Sequence, residues 1–530
     1  MWWILAAVVA LAVGYWLLAR PHRYWLEKGV KQGNPGFILG DNWGLVLGKQ
    51  SLADMVMMVY NACPNTRYSG FYQFLLPTLL LKDPDLIKQI TVKDFDHFLD
   101  HRNFIPEDCD PLWGKNLVAL SGKKWHEMRT TLSPAFTSSK MKYMFTLISQ
   151  SGEQFVKYFL QNDENLITVE MRDVFTRFTS DAIANTAFGV ECDSLRDREN
   201  EFYLMGKEAT NFTGVWKNLR IFGYLLMPKL FKFLKVTLFS KKVAEFFTNV
   251  VKSNIRSREK HGLVRPDMIH LLLEARKNGL KHEETELLQD TGFATAAESE
   301  FNKNPKNAKA EITDEDITSQ ALIFFFAGFD AVSSLMSFMS HELAVNPDVQ
   351  TRLIEEVDAT LEACEGKLTY EALLGMKYLD MVVSETLRKW PNSSAVDRVC
   401  TKPYTIEAKY PDERPIHLEK NDVVWLPIFG IHRDPQYYPE PDRFDPERFN
   451  DENKVNIKPY TYLPFGSGPR NCIGSRFALL ETKTLFFYTL THFEFVPVEK
   501  TQIPLVLSSK GINFVAENGF WLGLKRRSRI

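Results

Sequence analysis

Cys472 sits in the surroundings best suited to chemistry. It lies in FGSGPRNCIG, Phe465 to Gly474, a Pro- and Gly-rich turn running into a helical pattern that begins near Ser475. A cysteine at a helix start has its thiolate stabilised by backbone N–H groups and the helix dipole, and the thiolate is the form that ligates a metal. Gly468 and Gly474 let the backbone turn tightly beside a flat ligand. Arg470 offers a cation for a carboxylate, and Phe465 can cover the sulfur and exclude water. A lone cysteine in a glycine loop is ordinarily a structural residue. The five fixed positions of FxxGxRxCxG, however, match by chance in on the order of one in ten million windows at average residue frequencies.

Other motifs precede this loop in a fixed order. Glu385 and Arg388 form ExxR in SETLRKW, and PERF at 446–449 contributes Arg448. An isolated ExxR is an ordinary helix-surface pair. Trp125 and Arg129 lie in WHEMR, and Arg398 in DRVC. Together the motifs make the sequence resemble the cytochrome P450 family over nearly all the chain beyond its first twenty residues. The likeness is to insect microsomal enzymes of family 9, through DTGFATAAES at 290–299, FFFAGFDAVSS at 324–334 and HRDPQYYP at 432–439.

The resemblance implies heme b (iron protoporphyrin IX) with Cys472 as the metal ligand. It implies cofactor contacts from Trp125, Arg129, Arg398, Phe465, Gly468, Arg470 and Gly474, with Arg102 a further candidate for the propionates. Glu385, Arg388 and Arg448 become a buried ion network. The implied reaction is insertion of one oxygen atom from O₂ into a lipophilic molecule. Electrons come from NADPH through NADPH–cytochrome P450 reductase, with cytochrome b5 as a second donor, and Lys123, Lys124 and Arg476 are candidate docking cations near the Cys472 loop. The implied pocket walls are the segment from Phe104 to Leu120, Phe325, Phe326 and Phe329, Ser394 to Val396, and Ser508 to Ile512.

One position departs from the family pattern AGx[DE]T. Ala327, Gly328, Phe329 and Asp330 fit, but Ala331 stands where the threonine hydroxyl would hold water and donate a hydrogen bond at the reacting oxygen. Asp330 is the expected proton-relay residue. On a regular helix Ser334 lies near the face of 331, one turn on, and is the candidate replacement hydroxyl. Two other readings fit the Cys472 set: a haem-thiolate isomerase or dehydratase needing no external electrons, and a haem-retaining binding protein with weak turnover.

The positioning elements read as mainly α with small β-sheets (α+β), the cytochrome P450 fold. Thr313 followed by Asp314, Glu315 and Asp316 is a helix N-cap with an acidic first turn. The helix is expected to run to Asn346–Pro347, ~50 Å. Its middle, ALIFFFAGFDAVSSLMSF, is apolar nearly all round, so it should be central; the resemblance implies that it passes over the haem. The polar stretch from about 276 to 312 reads as a mobile surface connection.

Bulk composition sets the remaining bounds. With 64 basic and 66 acidic side chains, net charge −2, there is no field to capture nucleic acid. Six irregularly spaced cysteines disfavour a disulfide scaffold or zinc ribbon. The start, MWWILAAVVALAVGYWLLAR, is apolar and uncharged up to Arg20, with basic residues only after it. This reads as a retained transmembrane signal anchor at 1–20, placing the rest on the cytosolic face of the endoplasmic reticulum membrane. Residues 21–40 are expected as a linker and 41–530 as a single, monomeric catalytic domain.

Overall fold

The structure is a computed structural model that describes residues 2–5, 14–15, 20–103, 105–211, 215–262, 265, 267–278, 291–296, 299, 312–411, 413–511 and 514–528. Helices dominate, and the described strands form three small sheets of four, three and two strands. The expected fold class is therefore seen. The anchor expected at 1–20 lies largely outside the described residues. Among the described residues, the one helix long and apolar enough to cross a membrane is Asp314–Val345, which is mostly buried inside the protein.

That central helix begins as the sequence dictates. The Thr313 side chain accepts from Asp316 N–H while the Asp316 carboxylate accepts from Thr313 N–H, a reciprocal cap over three acidic residues. It ends at Val345, before Pro347. Between lies a feature that periodicity did not reveal: residues Gly328–Val332 form a widened π turn. The serines just beyond are kept inside the helix by bonding backwards, Ser333 to the Phe329 carbonyl at 2.6 Å and Ser337 to the Ser333 carbonyl at 2.6 Å.

Two cores flank the site. The larger packs the central helix against helices Met171–Ile183, Lys377–Lys389 and Ser475–His492. The smaller lies on the four-stranded sheet, built from Tyr68–Gln73, Leu76–Leu81, Val423–Leu426 and Val396–Val399 in that spatial order. This sheet carries Arg398 inward on its edge strand.

Two expectations about connections need correction. Residues 21–40 are not a free linker. Trp25 is fully buried and touches the backbone at Gly70, where a Cβ would meet its ring at 2.5 Å. The Tyr24 hydroxyl also donates to Asp422 at 2.7 Å, so the segment is tied to the smaller core. Of the polar connection at 276–312, residues 279–290, 297, 298 and 300–311 lie outside the described residues, but 291–296 are docked. Lys483 donates to the Thr291 carbonyl and Phe293 N–H donates to Asp380. Gly292, at φ +155°, leaves no room for a Cβ beside Asp380.

Candidate active site

Cys472 opens into an internal cavity of about 520 Å³ between the central helix and the helix that follows the cysteine loop. Its N–H donates to the Phe465 carbonyl at 2.9 Å, closing the loop into a turn. Burial pushes the thiol pKa up, whereas the Gly474 backbone and the Arg129 cation pull it down. Phe465, Gly466, Gly474, Phe477 and Ala478 surround it on the same side. Gly468 differs from expectation. It does turn the loop at φ +73°, but its close neighbour is the Thr91 carbonyl, which a Cβ would meet at 1.8 Å, and it does not line the cavity. Gly466, also at positive φ, is the loop glycine that does.

One edge of the cavity concentrates positive charge. Arg470 donates to the carbonyls of Leu99 and Leu120 at 2.8 Å each and to Asp100 at 3.2 Å, and its guanidinium lies 4.0 Å from the Trp125 ring centre. Arg129 grips the loop through the Asn471 carbonyl and side chain, both at 2.9 Å. Arg398 is completely buried, bonded to the carbonyls of Asp397 and Ser467, and its Nε has no partner. Arg102 lines the cavity and donates its N–H to Asp397. Burial lowers the pKa of Arg470 to about 9 and of Arg398 to about 10. Arg470 pairs with Asp100, and Asp397 faces both Arg398 and Arg102, so three guanidiniums share two carboxylates. The neighbouring His101, whose pKa burial lowers, adds no charge when neutral.

Behind this edge Arg388 binds Glu385 in a two-pronged ion pair at 2.7 and 2.8 Å, both side chains fully buried, with Arg448 at 3.6 Å from the same carboxylate. His432, in a segment that had suggested no chemistry, completes the network. Its Nε2 accepts from Leu463 N–H at 2.8 Å, so its Nδ1–H donates to the Arg388 carbonyl at 3.2 Å. Burial and Arg388 hold its pKa down at about 3, keeping the ring neutral.

The far wall is the central helix. Ala327, Gly328, Ala331, Val332 and Leu335 face the cavity. Asp330 and Ser334 do not. Arg172 donates to Asp330 at 2.6 Å and to Ser334 at 2.7 Å, and the Ser334 hydroxyl donates to the Asp330 carbonyl. Ser334 as replacement hydroxyl is therefore corrected: the cavity stripe runs through Ala331, Val332 and Leu335, Ser334 lies about 60° round from 331 on the other side, and its hydroxyl is taken by Arg172 and the Asp330 carbonyl. Arg172, 158 residues away in sequence, had no local signal. The pocket walls also change. Phe324 lines the cavity, whereas Phe325 and Phe329 stack at 5.3 Å in the core and Phe326 is not on the wall. Trp113, Leu117 and Ala119 line it as expected; Phe104 and Ile512 lie outside the described residues, and Ser508 does not reach it. Lys123 and Lys124 are exposed, whereas Arg476, expected among the docking cations, is buried.

The family pattern for Cytochrome P450 matches residues 44–521. The chain is 46% identical to "Cytochrome P450 9e2" of Blattella germanica over 99% of this chain and 98% of that protein. It is 42% identical to "Probable cytochrome P450 9f2" of Drosophila melanogaster, over 98% of each. This chain belongs to the cytochrome P450 family. Cytochrome P450s carry haem and draw on NADPH-derived electrons, and this one is a monooxygenase resembling the insect family-9 enzymes. Likeness to "Cytochrome P450 6k1" of Blattella germanica, at 36% identity over 97% of this chain and 95% of that protein, points the same way.

Proposed function

We propose that this cytochrome P450 holds heme b in the cavity described, with Cys472 as the iron's thiolate ligand, and oxidises lipophilic small molecules. The observation that carries the reading is the pairing of an apolar cavity reaching Cys472 with the cations Arg102, Arg129 and Arg470 on its wall and Arg398 buried next to them, groups that two propionates would bond. The orphaned Arg398 Nε fits a group held there. When bound, the haem supplies reduction of dioxygen and transfer of one oxygen atom.

The chain's own residues do the rest. Trp125 packs under the Arg470 guanidinium and Arg129 fixes the loop, so the sulfur is presented in one orientation. Phe465 and Phe477 keep water from it. Asp330 passes protons inward from the partly exposed Arg172 side of the central helix. The N-terminal run at 1–20 anchors the chain in the endoplasmic reticulum membrane, the domain at 41–530 faces the cytosol as a monomer, and NADPH–cytochrome P450 reductase, with cytochrome b5 as auxiliary, docks on the Cys472 side near Lys123 and Lys124.

The test is turnover with isotope-labelled dioxygen. Labelled product that requires both NADPH and reductase supports the assignment. Rearrangement of an added lipid hydroperoxide at full rate without reductase would replace it with the isomerase reading.

A further inference from the structure

We propose that Asn392 is a positioning residue which holds the widened turn of the central helix in place from across the cavity. Its Nδ2–H donates to the Ala331 carbonyl at 2.9 Å, and both residues line the cavity. A carbonyl only accepts, so this bond fixes which way the amide points and leaves Oδ1 as the other atom, buried and without a partner. An asparagine is a costly choice for this wall unless its donor matters, because an unpaired buried acceptor loses the water it bonded when unfolded.

The turn is held at three points, one of them the Arg172 pair with Asp330. The Thr179 hydroxyl donates to the Phe329 carbonyl at 3.1 Å from the buried side, and Asn392 takes the Ala331 carbonyl from the cavity side. Ser333, Ser334 and Ser337 bond back to their own helix, but a methyl at 331 can make no such bond. The segment carrying Asn392 is fastened to the same helix three turns on, where Glu342 accepts from Trp390 Nε1 at 2.7 Å and pairs with Lys389 at 2.8 Å. Among the described residues, the Asn392 bond is thus the polar tie to the turn that lies on the cavity wall. Without it the cavity side of the turn loses its hold, and the wall at Ala331 shifts. The inference rests on the reading of this cavity as the site of oxygen transfer.

The test uses full-length protein reconstituted with reductase in phosphatidylcholine vesicles, with ethoxycoumarin as probe. Product formed per NADPH is measured beside hydrogen exchange of residues 326–335, corrected for intrinsic rates, for wild type, Asn392→Ala and Asn392→Asp. An aspartate donates to a carbonyl only when protonated, and burial favours that form. We expect exchange about ten-fold faster in Asn392→Ala. In Asn392→Asp, exchange and coupling should lie near wild type at about pH 6, and by about pH 8 exchange should rise and coupling fall to the alanine level. Wild-type exchange and coupling in Asn392→Ala, or no pH dependence in Asn392→Asp, would overturn the proposal, and if the aspartate variant does not fold, the alanine variant decides alone. Failure of the cavity reading itself would show differently, as a wild-type protein lacking thiolate-bound haem.

Discussion

Two buried side chains show how much an individual charge decides. Arg398 is fully buried with one donor unpaired among the described residues, a donor that a bound carboxylate would complete. Replacing it with leucine should weaken haem retention roughly ten- to hundred-fold on dilution, since a hydrogen bond to a charged group is worth about 1.5–3 kcal/mol; retention equal to wild type would remove it from the cofactor set. Glu481 is fully buried, neither carboxylate oxygen has a partner, and its pKa is raised well above the ordinary value by desolvation. A raised carboxyl favours folding below its ordinary pKa, and that contribution is lost as pH rises toward the folded value. Glu481→Gln should therefore stabilise the protein progressively above about pH 4.5, by up to ~1.4 kcal/mol per pH unit, in denaturation at graded pH. At this scale the sequence was legible where a motif fixed the chemistry, as with Cys472, Arg470 and Arg398. It was silent on Glu481, because nothing local marks a glutamate as buried.

Helices place these groups, and here local pattern carried part of the answer. The cap at Thr313 and the stop before Pro347 followed from residue types alone. The π turn did not, nor did the contact that Arg172 makes with Ser334 just beyond it. Asp330, paired with Arg172, remains the acid nearest the widened turn. Asp330→Asn should lower turnover at least ten-fold and enlarge the solvent isotope effect, by the usual weight of general acid–base groups; unchanged values would show that protons enter elsewhere. The helix Lys377–Lys389 carries the other decisive pair. Arg388→Met strips buried Glu385 of its two-pronged partner and leaves only Arg448 at 3.6 Å, so a loss of about 3–5 kcal/mol is expected, read as little folded haem protein on expression.

Across the whole molecule, three small sheets and two apolar cores hold a cavity between elements far apart in sequence, and this is where reading the chain alone ran out. Phe325 and Phe329 were expected on the wall but serve the core, because Phe188, Phe202 and Phe247 pack on Phe325 and Tyr203 on Phe329 from distant segments. The same convergence buries His432, whose pKa falls from the ordinary 6.5 to about 3. A lowered folded value contributes stability above the unfolded pKa that is lost as pH falls toward the folded one. Acid denaturation should accordingly set in below about pH 6.5 and steepen toward pH 3, and His432→Gln should flatten that slope by up to ~1.4 kcal/mol per unit. The central claim is the bond between the Cys472 sulfur and iron. Its most direct measurement is the absorption spectrum of purified protein, reduced and exposed to carbon monoxide, compared with Cys472→Ala. A red-shifted Soret band in the native chain that vanishes in the variant is the result expected; its absence from the native chain, or its survival without the cysteine, would contradict the account.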